Sequence, residues 1–143
     1  MFNHLDYSFT VGREDGTFVY PATQPGGGNA TLRGQFHILC DFIHSFDFVH
    51  MKPDNTIIKG GVPAGGSARA LVEPGKACAI YVRQAGTNSV ALQIALPEGK
   101  WSAEWVNTKT GQIAQQTQFE NSETKTLNSP AFSEDIALRI VKR

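Results

Sequence analysis

The segment Lys76–Gly111, KACAIYVRQAGTNSVALQIALPEGKWSAEWVNTKTG, decides the fold class. It reads as three strands in succession, each alternating and each closed by turn residues. Cys78, Ile80 and Val82 share one phase, while Tyr81 points the other way. Val90, Leu92, Ile94 and Leu96 recur at every second position, opposed by Ala91, Gln93 and Ala95. Trp101, Ala103 and Trp105 repeat the pattern against Ser102, Glu104 and Val106. Such alternation places one face of a strand against a core and the other toward water. Residues 85–88, 97–99 and 107–111 supply the reversals, because Gly and Asn tolerate positive φ and Pro fixes φ. The expectation is an antiparallel meander of three neighbouring strands.

The flanks extend the same pattern. Residues 56–58 and 68–73 read as short strands before the segment, and 112–119, 124–127 and 136–141 as strands after it. In the last of these, Ile136, Leu138 and Ile140 alternate with Ala137, Arg139 and Val141. Seven or eight short strands, with turns about every ten residues, predict a mainly β chain. An antiparallel β-sandwich is the favoured architecture and a closed barrel the alternative.

One stretch breaks the period. From Ala30 to about Phe46, Leu32, Phe36, Leu39, Phe42, Ile43 and Phe46 recur at spacings of three and four, the stripe of an amphipathic helix. Asn29 or Thr31 can cap it, and Gly34 weakens it by about 1 kcal/mol relative to Ala. A stripe carrying three phenylalanines needs a substantial partner. Upstream, Leu5, Tyr7 and Phe9 suggest a short strand, and residues 24–29, QPGGGN, a loop.

Composition and charge narrow the function classes. A chain of 143 residues with 41% apolar and 18% charged side chains can bury a real core. Residues 1–50 hold two basic and five acidic groups, a balance of −3, against eleven and eight, or +3, in 51–143. All four histidines precede residue 51, so a domain division is expected near residue 50. No basic run interleaved with aromatics marks a nucleic-acid partner. No apolar stretch approaches the roughly 20 residues a membrane helix needs. The start MFNHLDYSF lacks the basic segment and apolar core of a secretory signal. Cys40 and Cys78 can be read as a disulfide or as two free thiols.

Candidate sites are few, and each has a plain structural reading beside it. Residues 25–29 could cradle an anion before the helix, but they lack the Lys-Ser/Thr of a phosphate loop and the G-x-G-x-x-G spacing, so a simple loop is expected and no cofactor. His37, Asp41 and His44 share one side of the helix, where they could hold a metal or form its solvated face. The latter is expected, and no metal. Asp6, Glu14 and Asp15 are carboxylates near a strand end, whereas glycoside hydrolysis needs two held about 5–9 Å apart. Tyr81, Trp101 and Trp105 are the aromatics that could stack on a sugar ring. The tryptophans share a phase with Ala103, which favours a core, and Tyr81 is the better exposed candidate. The β region contains no histidine, so no Ser-His-Asp or Cys-His relay can be built from it.

Two groups of segments resemble a known family. LDYSFTVGREDGT, QPGGGNATLRGQF and DFIHSFDFVHMKPDN resemble the last β/α unit of bacterial glycoside hydrolase-like (β/α)8 barrels. ALVEPGKACAIYVRQAG, ALPEGKWSAEWVNTKTG and SPAFSEDIALRIVKR are similar to their C-terminal β-sandwich, which is named by analogy a collagen-binding domain of a collagenase. The resemblance implies a remnant of the barrel-closing unit over residues 1–50, flexible over 1–28, and a sandwich accessory domain over 51–143. It implies that the catalytic acid and nucleophile of a parent enzyme lie upstream, with Asp6, Tyr7, Glu14 and Asp15 beside the parent's cleft and no catalytic residue in this chain. The implied role is a non-catalytic module that supports the barrel or contacts polysaccharide. The alternatives are a protein-binding module for collagen-like or cell-surface chains, or a structural spacer. The implied partner is the upstream barrel, in a secreted or periplasmic parent. A monomer is expected, without nucleic-acid or membrane partners.

Overall fold

The alternating segments become two antiparallel sheets in the computed structural model, which describes residues 30–84, 86 and 89–143, the first three as backbone only. The expected strand around Leu5 to Phe9, the glycine loop, the capping candidate Asn29 and the expected flexibility of 1–28 lie outside those residues, whereas Thr31, the other capping candidate, lies within the helix and does not flank it. Helix α1 (Ala30–His44) comes first. Nine strands follow among the described residues: β1 (Lys52–Pro53), β2 (Ile58–Gly60), β3 (Ser67–Glu73), β4 (Ala77–Arg83), β5 (Ala91–Ala95), β6 (Gly99–Val106), β7 (Ile113–Asn121), β8 (Thr124–Asn128) and β9 (Asp135–Lys142). The larger sheet has the order β1-β3-β4-β9-β6-β7 and the smaller β2-β5-β8. The mainly β sandwich with one helix is therefore the observed fold.

The meander is not observed. β4 and β6 belong to the six-stranded sheet and β9 is inserted between them, while β5 belongs to the opposite sheet. Alternation specifies which side chains face inward, but strands on the two sides of a sandwich carry the same pattern. The chain crosses from one sheet to the other twice within the segment. A smaller correction concerns residues 56–58. Asp54 accepts hydrogen bonds from the Thr56 amide (2.9 Å) and hydroxyl (2.6 Å), closing a 3-10 turn over Asn55–Ile57. Strand pairing begins only at Ile58.

Between the sheets the inward phases meet. Ala68, Ala70, Val72, Cys78, Ile80, Val82, Trp101, Ala103, Trp105, Ile136, Leu138 and Ile140 pack against Val90, Leu92, Ile94, Leu96 and Leu127. All are buried, those of β4, β5, β6 and β9 as their alternation predicts, and Ile57, Ile58, Phe119 and Phe132 close the margins. Polar groups trapped here find partners, as burial demands. Trp101 Nε1 donates to the Pro97 carbonyl (3.0 Å), Asn121 Nδ2 to Leu96 O (2.6 Å), and the Ser129 hydroxyl accepts from Val90 N (2.9 Å). After β2, Gly61 adopts φ +82°, and a Cβ there would lie 1.8 Å from Ala91 O. Only glycine lets the chain pass β5 so closely.

The other face of the six-stranded sheet departs from expectation. Ala77, Ala79, Ser102, Val106 and Ala137 point away from the core yet are buried. These mostly small side chains form a low floor, and α1 lies over it.

Candidate functional site

Helix α1 meets the sheet through the C-terminal part of its apolar stripe together with Ile38, which the stripe does not include. Ile38, Phe42, Ile43 and Phe46 are half-buried, whereas Phe36 and Leu39 remain 46% and 54% exposed. The turn after β6 also touches the helix, since a Cβ on Gly111 would stand 3.4 Å from Ile38. Beyond the C-terminal end of α1, Arg139 of β9 makes the tie. Its guanidinium donates to Glu104 Oε2 (2.8 Å) and to the Ser45 hydroxyl (3.2 Å), and lies 5.7 Å from the Phe46 ring centre. Gln116 Nε2 donates to the other Glu104 oxygen (2.9 Å), and Phe42 packs edge-on against Phe46. An arginine between a half-buried carboxylate and an aromatic ring is well suited to this, because its planar fork donates along its edge while its face stacks.

Helix and floor do not close on each other. A groove of about 530 Å³ remains between Ile38, Leu39, Phe42 and Ile43 on one side and Leu71, Ala79, Val106 and Ala137 on the other. Its lining is mostly apolar, with Gln35, Asn55 and Arg69 among its polar residues and a polar corner where Tyr81, Asp135, Thr108 and Lys109 converge. The Tyr81 hydroxyl donates to Asp135 Oδ2 (2.8 Å), and the Thr108 hydroxyl donates to Oδ1. Lys109 Nζ lies 3.1 Å from Glu134 and 3.9 Å from Asp135. Burial, then the bond to Asp135, pushes the Tyr81 phenol up to about 12. Its hydrogen bond to Glu134 raises Lys109. The phenol thus stays protonated and Lys109 charged through the neutral range. The corner offers stacking and hydrogen bonding.

The structure separates the three aromatic candidates. Tyr81 is 41% exposed at the rim of the groove, on the outward phase of β4. Trp101 and Trp105 are 1% and 2% exposed and fill the core, as their phase with Ala103 suggests. Asp6, Tyr7, Glu14 and Asp15 lie outside the described residues. His37 and Asp41 form an exposed pair at 3.4 Å, and His44 Nδ1 lies 3.6 Å from Cys40 Sγ. Cys40 and Cys78 are free thiols, one on the helix surface and one in the core. Burial pushes the Cys78 thiol up to about 12, so it is inert as a nucleophile. Asp47, His50 and Glu73 also cluster closely enough to share an ion, but Lys76 Nζ already stands 2.5 Å from Glu73.

Sequence reading did not find Thr108, Lys109, Asp135 or Arg139. Three of them sit at strand ends or turns, where alternation gives no signal. Arg139 did carry one, a long charged residue between Ala137 and Val141 on an otherwise small-residue phase.

No family model matches the chain, and no curated protein matches it. Among solved structures, one described as a glycoside hydrolase superposes with a TM-score of 0.60 over 88% of this chain, at 20% identity. A glycoside hydrolase family 5 structure from Bacteroides vulgatus superposes with a TM-score of 0.58 over 84%, also at 20% identity. The fold is thus one found in glycoside hydrolase structures, and the match takes up only 31% and 25% of those chains.

Proposed function

We propose that this chain is a non-catalytic accessory module of a glycoside hydrolase-like protein. The observation that carries the reading is the asymmetry of the match: nearly all of this chain corresponds to less than a third of each glycoside hydrolase. Residues 51–143 would be the module proper and residues 1–50 the remnant of a barrel-closing unit. α1, tied to the sheet by Arg139, would link the module to the catalytic barrel. The β-sandwich would support that barrel and contact polysaccharide, with Tyr81 as the contact. An exposed phenol beside polar side chains suits a sugar, whose C–H face stacks on the ring while its hydroxyls reach the polar groups.

The test is a titration of the full chain with soluble polysaccharides, followed by NMR. Shifts centred on Tyr81, Thr108 and Lys109 are expected, with affinity falling about 2–10-fold in Tyr81→Ala, the worth of one aromatic contact. Binding unchanged in Tyr81→Ala would reject this surface. Glycoside turnover by the purified chain would sink the accessory reading itself.

A further inference from the structure

Among the described residues the two sheets have four edge strands, and three of them are guarded. β1 is two residues long, one a lysine and one a proline. β2 is three residues long, carries Lys59 and is irregular in register. β8 has Lys125 within its five residues. Short length, lysine, proline and bulges are the usual devices that keep a sheet edge from recruiting another strand. β7 is different. It is nine residues long, IAQQTQFEN, and holds no lysine, arginine or proline.

β7 is also the least covered of the strands longer than two residues. It pairs on one side with β6, and among the described residues its outer edge has no backbone partner. Three strands cannot roof six, so even inward-phase Gln115 and Thr117 are exposed. The strand's one charged residue, Glu120, has Lys100 at 3.6 Å on its own sheet.

We infer that β7 is a docking edge for a second copy of this chain, joined by antiparallel β7–β7 pairing about a two-fold axis at Thr117. A two-fold interface sets each residue against its mirror position. With the axis at Thr117, Gln116 faces Gln118, Gln115 faces Phe119, and Ala114 faces Glu120. The two glutamates never meet, and each pair keeps its side chains on the same face. Thr–Thr and Gln–Gln pairs across strands can hydrogen-bond, and no like charges oppose them. A second copy of the chain therefore fits this edge without charge conflict, since the one charged residue of each strand faces an alanine. This departs from the monomer expected from the sequence.

Sedimentation of the full chain over a wide concentration range is the test. The mass should rise from 15.6 kDa toward twice that value. Amides of residues 113–121 should gain exchange protection as it rises. Thr117→Lys places two like charges on the axis and should hold the protein at monomer mass. Thr117→Glu should do the same, and mixing the two variants should restore the dimer. That rescue cannot arise from a folding defect. Monomer mass at every wild-type concentration overturns the proposal, even where a foreign peptide protects the same amides. So does a dimer that survives Thr117→Lys but dissociates in Val49→Ser, which would move the contact to the exposed turn after α1.

Discussion

The six-stranded sheet has two faces built from the same strands, and they are covered in different ways. The inner face carries Trp101, Trp105, Ile80, Leu138 and Ile140, and a second sheet presses large side chains into it. The outer face carries Ala77, Ala79, Ser102 and Ala137 around a Glu104–Arg139 ion pair, and a single helix bridges it over a groove. Close packing of bulky apolar groups supplies stability without specifying chemistry. A low floor under a narrow cover leaves room, and room beside a few polar groups is what a binding surface requires. Stability is therefore expected to reside between the sheets and adaptability between helix and sheet.

The contrast can be broken most sharply at its stable side. Trp105→Ala empties a site enclosed by both sheets and should lower unfolding free energy by about 3–5 kcal/mol, read from the denaturant midpoint. The outer face should yield less. Arg139→Ala leaves Glu104 half-buried without its cation and should cost about 2–3 kcal/mol. Hydrogen exchange should then speed up in residues 33–46 while β4 and β6 stay protected. Equal loosening of the core strands would show that the helix and the sandwich unfold as one unit.

Alkaline titration sharpens the comparison, because each face carries an acid, a thiol or a phenol, that is raised to about 12. Cys78 rises from 9.0 and Tyr81 from 10.0, both to about 12. A raised pKa means that the folded state holds its proton more tightly than the unfolded chain. The associated stability is complete below the unfolded values and is lost as pH climbs through the folded ones. Melting temperature should therefore fall between about pH 9 and 12, less steeply in Cys78→Ala. A thiol reagent at mildly alkaline pH should modify exposed Cys40 in the folded protein and reach Cys78 only on unfolding. The smallest effect is expected from Tyr81→Phe. It removes one hydrogen bond at a partly exposed corner and should cost about 0.5–1.5 kcal/mol.

How much of this was legible depends on the range of each signal. The inward phases of β4, β5, β6 and β9 were readable because alternation is a property of a few consecutive residues. Tyr81 was singled out in the same way, by standing against its strand's apolar phase. The corner that surrounds it was not, because Thr108 and Asp135 are 27 positions apart and meet only when β9 inserts beside β6. Burial of Ser102 and Val106 was also missed. Their phase opposes the core, and nothing in their own strand announces that this face is covered as well.

The sequence by itself determined the mainly β class, helix α1, the inward residues of β4, β5, β6 and β9 and the core placement of both tryptophans. Each follows from periodicity and turn chemistry, which act over neighbouring residues. Only the tertiary structure decided which sheet each strand joins, and that β9 divides what looked like a meander. It likewise decided that one unguarded edge is left open and that a groove persists under α1. Those outcomes depend on pairings between distant segments, where the hydrogen-bonding demand of a strand is met equally well by any neighbour of suitable pattern, and only the packing of the whole chain selects one.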